Sequence, residues 1–246
     1  FGGVLAVDDV SFTVPAGTLT ALIGPNGAGK STLFNLLTNL YRSDAGTVAL
    51  FGTSLAEMSS DAIARLGLVR TFQTARVFPG MTVLENVLAG MHVAARAPIW
   101  SHALTLGASR REERAMRERA EALLEAVGLG GLQDADAISL PLGSQKVVEL
   151  ARALIARPRV LLLDEPAAGL NDAETEQLAR LLVAIHDSGT TVFVVEHNMS
   201  LVMGIADHVL VLDAGRLIAT GTPAEVQADP AVIEAYVGRS AVEAAP

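Results

Sequence analysis

The sequence has no cysteine among its 246 residues. That excludes a disulfide framework, a thiolate nucleophile and a thiolate metal site, and it suits a reducing compartment such as the cytoplasm. No apolar run approaches the ~18 to 20 residues that cross a bilayer as a helix, and no basic segment leads into an apolar stretch at the start. If such a chain serves a membrane, a partner must supply the span. Basic charge is in deficit as well: 18 Lys and Arg stand against 27 Asp and Glu, a net charge of -9. The field repels nucleic-acid phosphates and anionic lipid, so no nucleic-acid partner is expected. Internal repeats and low-complexity tracts are also missing. The chain opens at Phe1 without an initiator methionine, and residues preceding it are expected.

What is present is a chain that is 50% apolar, enough at this length to bury a sizeable core. Val10, Phe12 and Val14 alternate as in a strand with one buried face, whereas Leu19 to Ile23 is nearly continuous in apolar character, as central strands are. Leu33, Leu36, Leu37 and Leu40 fall at helical spacing over Ser31 to Leu40, and Thr47 to Phe51 reads as the next strand. From about Thr82 to Ala156 strand character disappears. There Arg110 to Val127 predicts an amphipathic helix with Met116, Ala120, Leu123, Leu124 and Val127 inward. Strands return at Val160 to Leu163, Thr191 to Val195 and Val209 to Leu212, separated by helical stretches, as in a parallel sheet wound with helices. Asp213-Ala214-Gly215 turns a hairpin into Arg216 to Ala219, and Thr222-Pro223-Ala224-Glu225 carries a helix-start signature.

The segment Gly24-Pro25-Asn26-Gly27-Ala28-Gly29-Lys30-Ser31 matches the phosphate loop G-x-x-x-x-G-K-[ST], set between a buried strand and a helix as its mechanism requires. Glycines let main-chain N–H groups turn inward around phosphates, and the following helix points its positive end at the anion. Lys30 adds a point charge for the β and γ phosphates, and Ser31 offers Mg²⁺ a hydroxyl. Gly24 through Ser31, with Thr32 behind them, are the expected nucleotide-binding residues.

Val160-Leu161-Leu162-Leu163-Asp164-Glu165 is an apolar strand ending in two acids, and parallel strands present their carboxyl ends to ligands. Asp164 suits Mg²⁺ and Glu165 suits activation of the attacking water. A second such strand ends in Glu196-His197, which places His197 to bond the γ-phosphate and that water.

These elements stand in a fixed order with Thr71-Phe72-Gln73, Leu140-Pro141-Leu142-Gly143-Ser144-Gln145 and Ala168-Gly169-Leu170-Asn171. The ordered set resembles an ABC transporter ATPase along nearly the whole chain. Phe1-Gly2-Gly3, Arg70-Thr71-Phe72-Gln73, Asp164 to Asn171 and Glu196-His197-Asn198-Met199 resemble most the ATP-binding subunits of branched-chain or hydrophobic amino acid uptake systems. The resemblance implies an α/β P-loop NTPase core with a parallel sheet, an N-terminal antiparallel β subdomain and an inserted helical subdomain. Residues 1–73 and 157–246 would form the core and 74–156 the helical insertion.

The same resemblance implies ATP and Mg²⁺ as cofactors and ATP hydrolysis as the activity. Phe1 would stack on adenine, and Gln73 would sense Mg²⁺ and the membrane partner. Leu140, Gly143 and Ser144 would meet the nucleotide of a second ABC ATPase, and the segment through Asn171 would touch that subunit. Permease subunits in the inner membrane, with an extracytoplasmic solute-binding protein, complete the implied assembly. Val77, Phe78, Pro79 and Met81 are either its docking groove or ordinary core.

The signature departs from the usual Leu-Ser-Gly-Gly-Gln. Pro141 has neither hydroxyl nor N–H to donate, which reads either as subfamily divergence or as a degenerate site. Lipid, lipopolysaccharide or other small-solute transport would use the same nucleotide motifs, as would a soluble ABC-type ATPase or a regulator that never hydrolyses.

Overall fold

The computed structural model describes residues 5–71, 77–91 and 106–243. Strand β1 (Leu19–Ile23) leads through the glycine-rich loop into helix α1 (Lys30–Leu37). A two-residue hairpin, β2 (Ala49–Leu50) and β3 (Thr53–Ser54), precedes helix α2 (Ser60–Arg65) and strand β4 (Leu68–Arg70). Among the described residues, helices α3 (Val83–Ala89), α4 (Leu106–Ala126) and α5 (Leu142–Leu154) follow, with a 3-10 turn at Ala137–Ser139. Strand β5 (Val160–Asp164), helix α6 (Asp172–Asp187), strand β6 (Thr191–Val195) and helix α7 (Met199–Ile205) alternate thereafter. The hairpin β7 (His208–Asp213) and β8 (Arg216–Gly221) leads to α8 (Pro223–Ala228) and α9 (Pro230–Glu243).

Six strands form one sheet in the order β4-β5-β6-β1-β7-β8. The first five are parallel, and only β8 runs antiparallel to its neighbour. Because side chains along a strand alternate between faces, each central strand feeds two cores. Leu19, Leu161, Val192 and Val209 face α5, α6 and α7 in one cluster. Leu22, Leu162, Phe193 and Leu210 face α1 and α2 in the other, where Phe34 and Phe193 meet at 5.1 Å between ring centroids. A third cluster lies apart from the sheet and joins Val83 and Val87 of α3, Ala120 and Leu124 of α4, and Val148 and Ala151 of α5, with Leu129 and Ala137 from the connections.

Several expectations need correction. Val10 to Val14 is not a strand: Val10, Phe12 and Val14 do pack against the second cluster, but the segment joins no ladder. Alternation reports a buried face and not a hydrogen-bonding neighbour. Thr47 to Phe51 shortens to Ala49–Leu50 because Phe51 and Gly52, at φ 50° and 81°, make the hairpin turn. Helix α1 stops at Leu37: Asn39 takes a left-handed conformation and donates its amide to Met58 O at 2.7 Å, leaving Leu40 exposed. Met116 likewise faces solvent, while Ala120 and Leu124 lie inward as expected.

Candidate active site

Strands β1, β5 and β6 are parallel neighbours, so the loops leaving their carboxyl ends share one edge of the sheet. The phosphate loop leaves β1, Asp164-Glu165 ends β5, and Glu196-His197 follows β6. Gly24 and Gly29 are required by packing as well as by conformation. At φ 150° and 103°, a Cβ on them would lie 2.0 Å from Leu212 O and 2.3 Å from Ala6 O. Gly29 is also the N-cap of α1 and provides no side-chain cap, and the first turn carries no acid. The first amides of α1 are therefore left to an external anion.

Lys30 is buried, and its Nζ donates to Gly24 O at 2.7 Å and Pro25 O at 2.9 Å, which places the ammonium across the loop it follows. Asn26, Gly27 and Ser31 line the exposed side of the loop, with Pro25 and Thr32 half-buried and Ala28 fully packed beneath. The backbone of Gly24 also hydrogen-bonds Tyr236 of α9, whose phenol is pushed above its ordinary pKa by burial.

Asp164 is buried at the end of β5. Its Oδ2 accepts from Arg70 Nη2 at 2.7 Å, while Oδ1 has no hydrogen-bond partner. A buried anionic oxygen left open in this way is the hard donor that Mg²⁺ takes, so the residue fits the metal. Arg70 continues to Asn35 Oδ1 at 2.7 Å and Thr38 Oγ1 at 3.3 Å, tying β4, β5 and α1 together.

Glu165 sits at φ 48°, in left-handed backbone that turns its carboxylate out of the strand. Its Oε1 lies 2.7 Å from Nε2 of His197. An ionised carboxylate only accepts, so Nε2 carries the proton in this pair. Buried Glu196 serves a different purpose: Oε1 accepts from Ala167 N at 2.6 Å and Oε2 from His197 N and Asn198 N at 3.0 and 3.3 Å. It fixes the turns after β5 and β6 to each other.

The structure thus brings Glu165 and His197 into contact and sets the phosphate loop and Asp164 at the same sheet edge. Leu140 and Pro141 lead into α5, where Gly143 and Ser144 occupy the first turn and line a cleft of about 460 Å³ with Leu170 and Glu174. Phe1 and Gln73 lie outside the described residues. Sequence reasoning missed the parts of Arg70 and Glu196; the one available signal was charge placed inside or beside apolar elements.

The ABC transporter family model matches residues 7–168, and a model of the branched-chain amino acid ATP-binding cassette transporter matches residues 216–242. The chain belongs to the ABC transporter family, as one of its ATP-binding subunits. It is similar to the high-affinity branched-chain amino acid transport ATP-binding protein LivG of Salmonella typhimurium, 42% identical over 241 residues covering 98% of this chain and 94% of the relative. A solved ATP-binding cassette of an ABC transporter in its ADP conformation is 35% identical, with a TM-score of 0.84 over 97% of this chain and 94% of that one. A dimeric cassette in a post-hydrolysis state, bound to ADP and Pi, is 25% identical with a TM-score of 0.75 over 89% and 91%. Family and fold are those the ordered motifs implied.

Proposed function

We propose that this chain hydrolyses ATP with Mg²⁺ and, as one of two ATPases at the cytoplasmic face of the cell membrane, drives uptake of branched-chain or other hydrophobic amino acids. The observation that carries the hydrolytic reading is the contact of Glu165 Oε1 with His197 Nε2, made by two residues at the ends of adjacent strands beside the phosphate-loop strand.

In this reading the loop amides from Gly24 to Thr32 hold the phosphates, and Lys30 neutralises the β and γ groups. Mg²⁺ would be held by Ser31, Asp164 and Gln73, and would supply charge compensation on the phosphate oxygens. Glu165 orients the attacking water and takes its proton as the oxygen bonds to the γ-phosphorus and the β–γ bridging bond breaks. With nucleotide bound, His197 would turn its Nε2–H from Glu165 to the γ-phosphate, which frees the carboxylate for the water. Phe1 would stack on the base.

Similarity to a dimeric cassette supports a second ABC ATPase as partner, with Leu140, Gly143 and Ser144 of each chain meeting the other's nucleotide. Permease subunits and an extracytoplasmic solute-binding protein follow from the likeness to LivG. Among the described residues no helix is long and apolar enough to cross a membrane, so the permease would supply the span. The division into a core of residues 1–73 and 157–246 and a helical part of 74–156 is supported by the separate cluster of α3, α4 and α5.

Glu165→Gln tests the reading. Losing a general base typically costs ~10² to 10⁴ in rate, so single-turnover hydrolysis should fall by that much while ATP binding persists. An undiminished single-turnover rate removes Glu165 from the role.

A further inference from the structure

The backbone of Glu165 is held in a left-handed conformation that is unfavourable for a residue with a Cβ and persists only where surroundings impose it. Two restraints are main chain: Glu165 N donates to Val195 O at 2.9 Å and Ala168 N to Glu165 O at 3.1 Å. The third is Glu196, accepting from Ala167 N. The fourth arrives from a separate element. Lys146 Nζ, on α5, donates to Pro166 O at 2.8 Å and to Glu165 O at 3.4 Å.

That ammonium is not placed for its own comfort. Burial lowers the Lys146 pKa, and the nearby carboxylates of Glu196, Glu149 and Glu165 act in the opposite direction. An apolar side chain of similar length would avoid the desolvation, so stability alone does not account for a lysine there. What the lysine adds is a link. It stands one helical turn after Gly143, on the same side of α5. Two close packings continue the link: a Cβ on Gly143 would lie 2.7 Å from Glu174 Oε1, and a Cβ on Gly169 would lie 3.1 Å from Leu142. Glu174 in turn closes a capping box with Asn171. The start of α5 and residues 165–174 are therefore braced together.

We infer that Lys146 is a positioning residue that holds the Glu165–Pro166 turn and carries displacement of the α5 start to the Glu165 carboxylate of the same chain. This rests on the hydrolytic reading above and adds a direction of control. When the start of α5 engages the nucleotide of the second ATPase, the ammonium shifts with the helix and sets the angle of Glu165 in its own site. Each site then hydrolyses in response to occupancy of the other.

The test uses the full chain with MgATP, comparing wild type, Lys146→Met, Lys146→Arg and Lys146→Gln. A misplacement near 1 Å can cost ~10² in rate, so Lys146→Met should lower kcat by at least ~10-fold while KM for ATP stays within ~2-fold. Its Hill coefficient should fall towards one, and Lys146→Arg, which keeps two or more donors, should recover most of kcat. In a Glu165→Gln background the methionine substitution should change the residual rate by less than ~2-fold, since residues acting through one another are not additive. Should Lys146→Met fail to fold, Lys146→Gln, which keeps an uncharged amide donor on a shorter stem, decides the matter by the same kcat and Hill measurements. Unchanged kcat and Hill coefficient, or a full additional loss in the Glu165→Gln background, overturns the inference while wild-type hydrolysis leaves the proposed function standing. A wild-type chain that binds MgATP and never releases phosphate overturns both.

Discussion

Arg70 and Asp164 form a buried ion pair in which the arginine also binds Asn35 and Thr38, while Asp164 Oδ1 is left open to the proposed cation. Removing one member of a buried pair leaves the other charged without compensation and typically costs about 3 to 5 kcal/mol. Arg70→Met should therefore lower unfolding free energy by roughly 3 kcal/mol in urea titrations. Excess Mg²⁺ with ATP should return part of that loss by binding at Asp164, and a denaturation midpoint indifferent to the substitution would contradict the pair's importance. Neither the pair nor the Lys146 contact was legible in the sequence. Asp164 and Arg70 are 94 positions apart, and a charged residue beside an apolar run has no period or motif that names its partner. Lys30, Asp164, Glu165 and His197 could be singled out in the sequence because short patterns mark the ends of the strands, and the structure gathers them at one edge of the sheet.

At the scale of elements, burial was read more accurately than hydrogen bonding. Strands β1, β5, β6 and β7 were visible as apolar runs because both their faces are covered, whereas Val10 to Val14 showed the right buried face and no ladder. The start of α5 belongs to this scale too. Pro141 is its N-cap without a side-chain bond, and no acid stands in its first turn, so the amides following Pro141 have no intrahelical acceptor. In the proposed reading those amides would supply the anion site that a serine would have supplemented, which favours subfamily divergence over degeneracy. Pro141→Ser should accordingly change the steady-state ATPase rate by less than the ~10-fold that a recovered charge-assisted bond would give. A larger gain would establish degeneracy.

The turn before α3 makes a second element-scale case. Fully buried Asn86 accepts from Phe78 N at 2.7 Å and donates to Thr82 O at 3.0 Å, holding residues 78–82 so that Phe78 and Met81 remain 44% and 40% exposed. A side chain this well bonded presents two apolar groups outward on a rigid turn, which supports their assignment to the permease groove over core packing. Met81→Asp should abolish ATP-driven uptake in reconstituted vesicles with ATP affinity unchanged; full transport would defeat the assignment.

On the scale of the whole molecule, a net charge of -9 acts against the pairing of two such chains. Repulsion between like-charged bodies is screened as the Debye length falls from ~10 Å at 0.1 M salt to ~3 Å at 1 M. ATP-dependent self-association of the Glu165→Gln chain, followed by sedimentation, should strengthen as salt rises over that range. Weakening with salt would mean that attractive contacts between opposite charges dominate the interface.

The alternation that lets every central strand serve two cores also leaves the sheet no tolerance for a change in chain length. One extra residue inside β5 would exchange the faces of Leu161, Leu162 and Leu163 and turn Asp164 by half a repeat, away from Arg70 and from the cation proposed for it. Fuel handling and hydrophobic cohesion are thereby written in the same frame: a reading error in one is an error in the other.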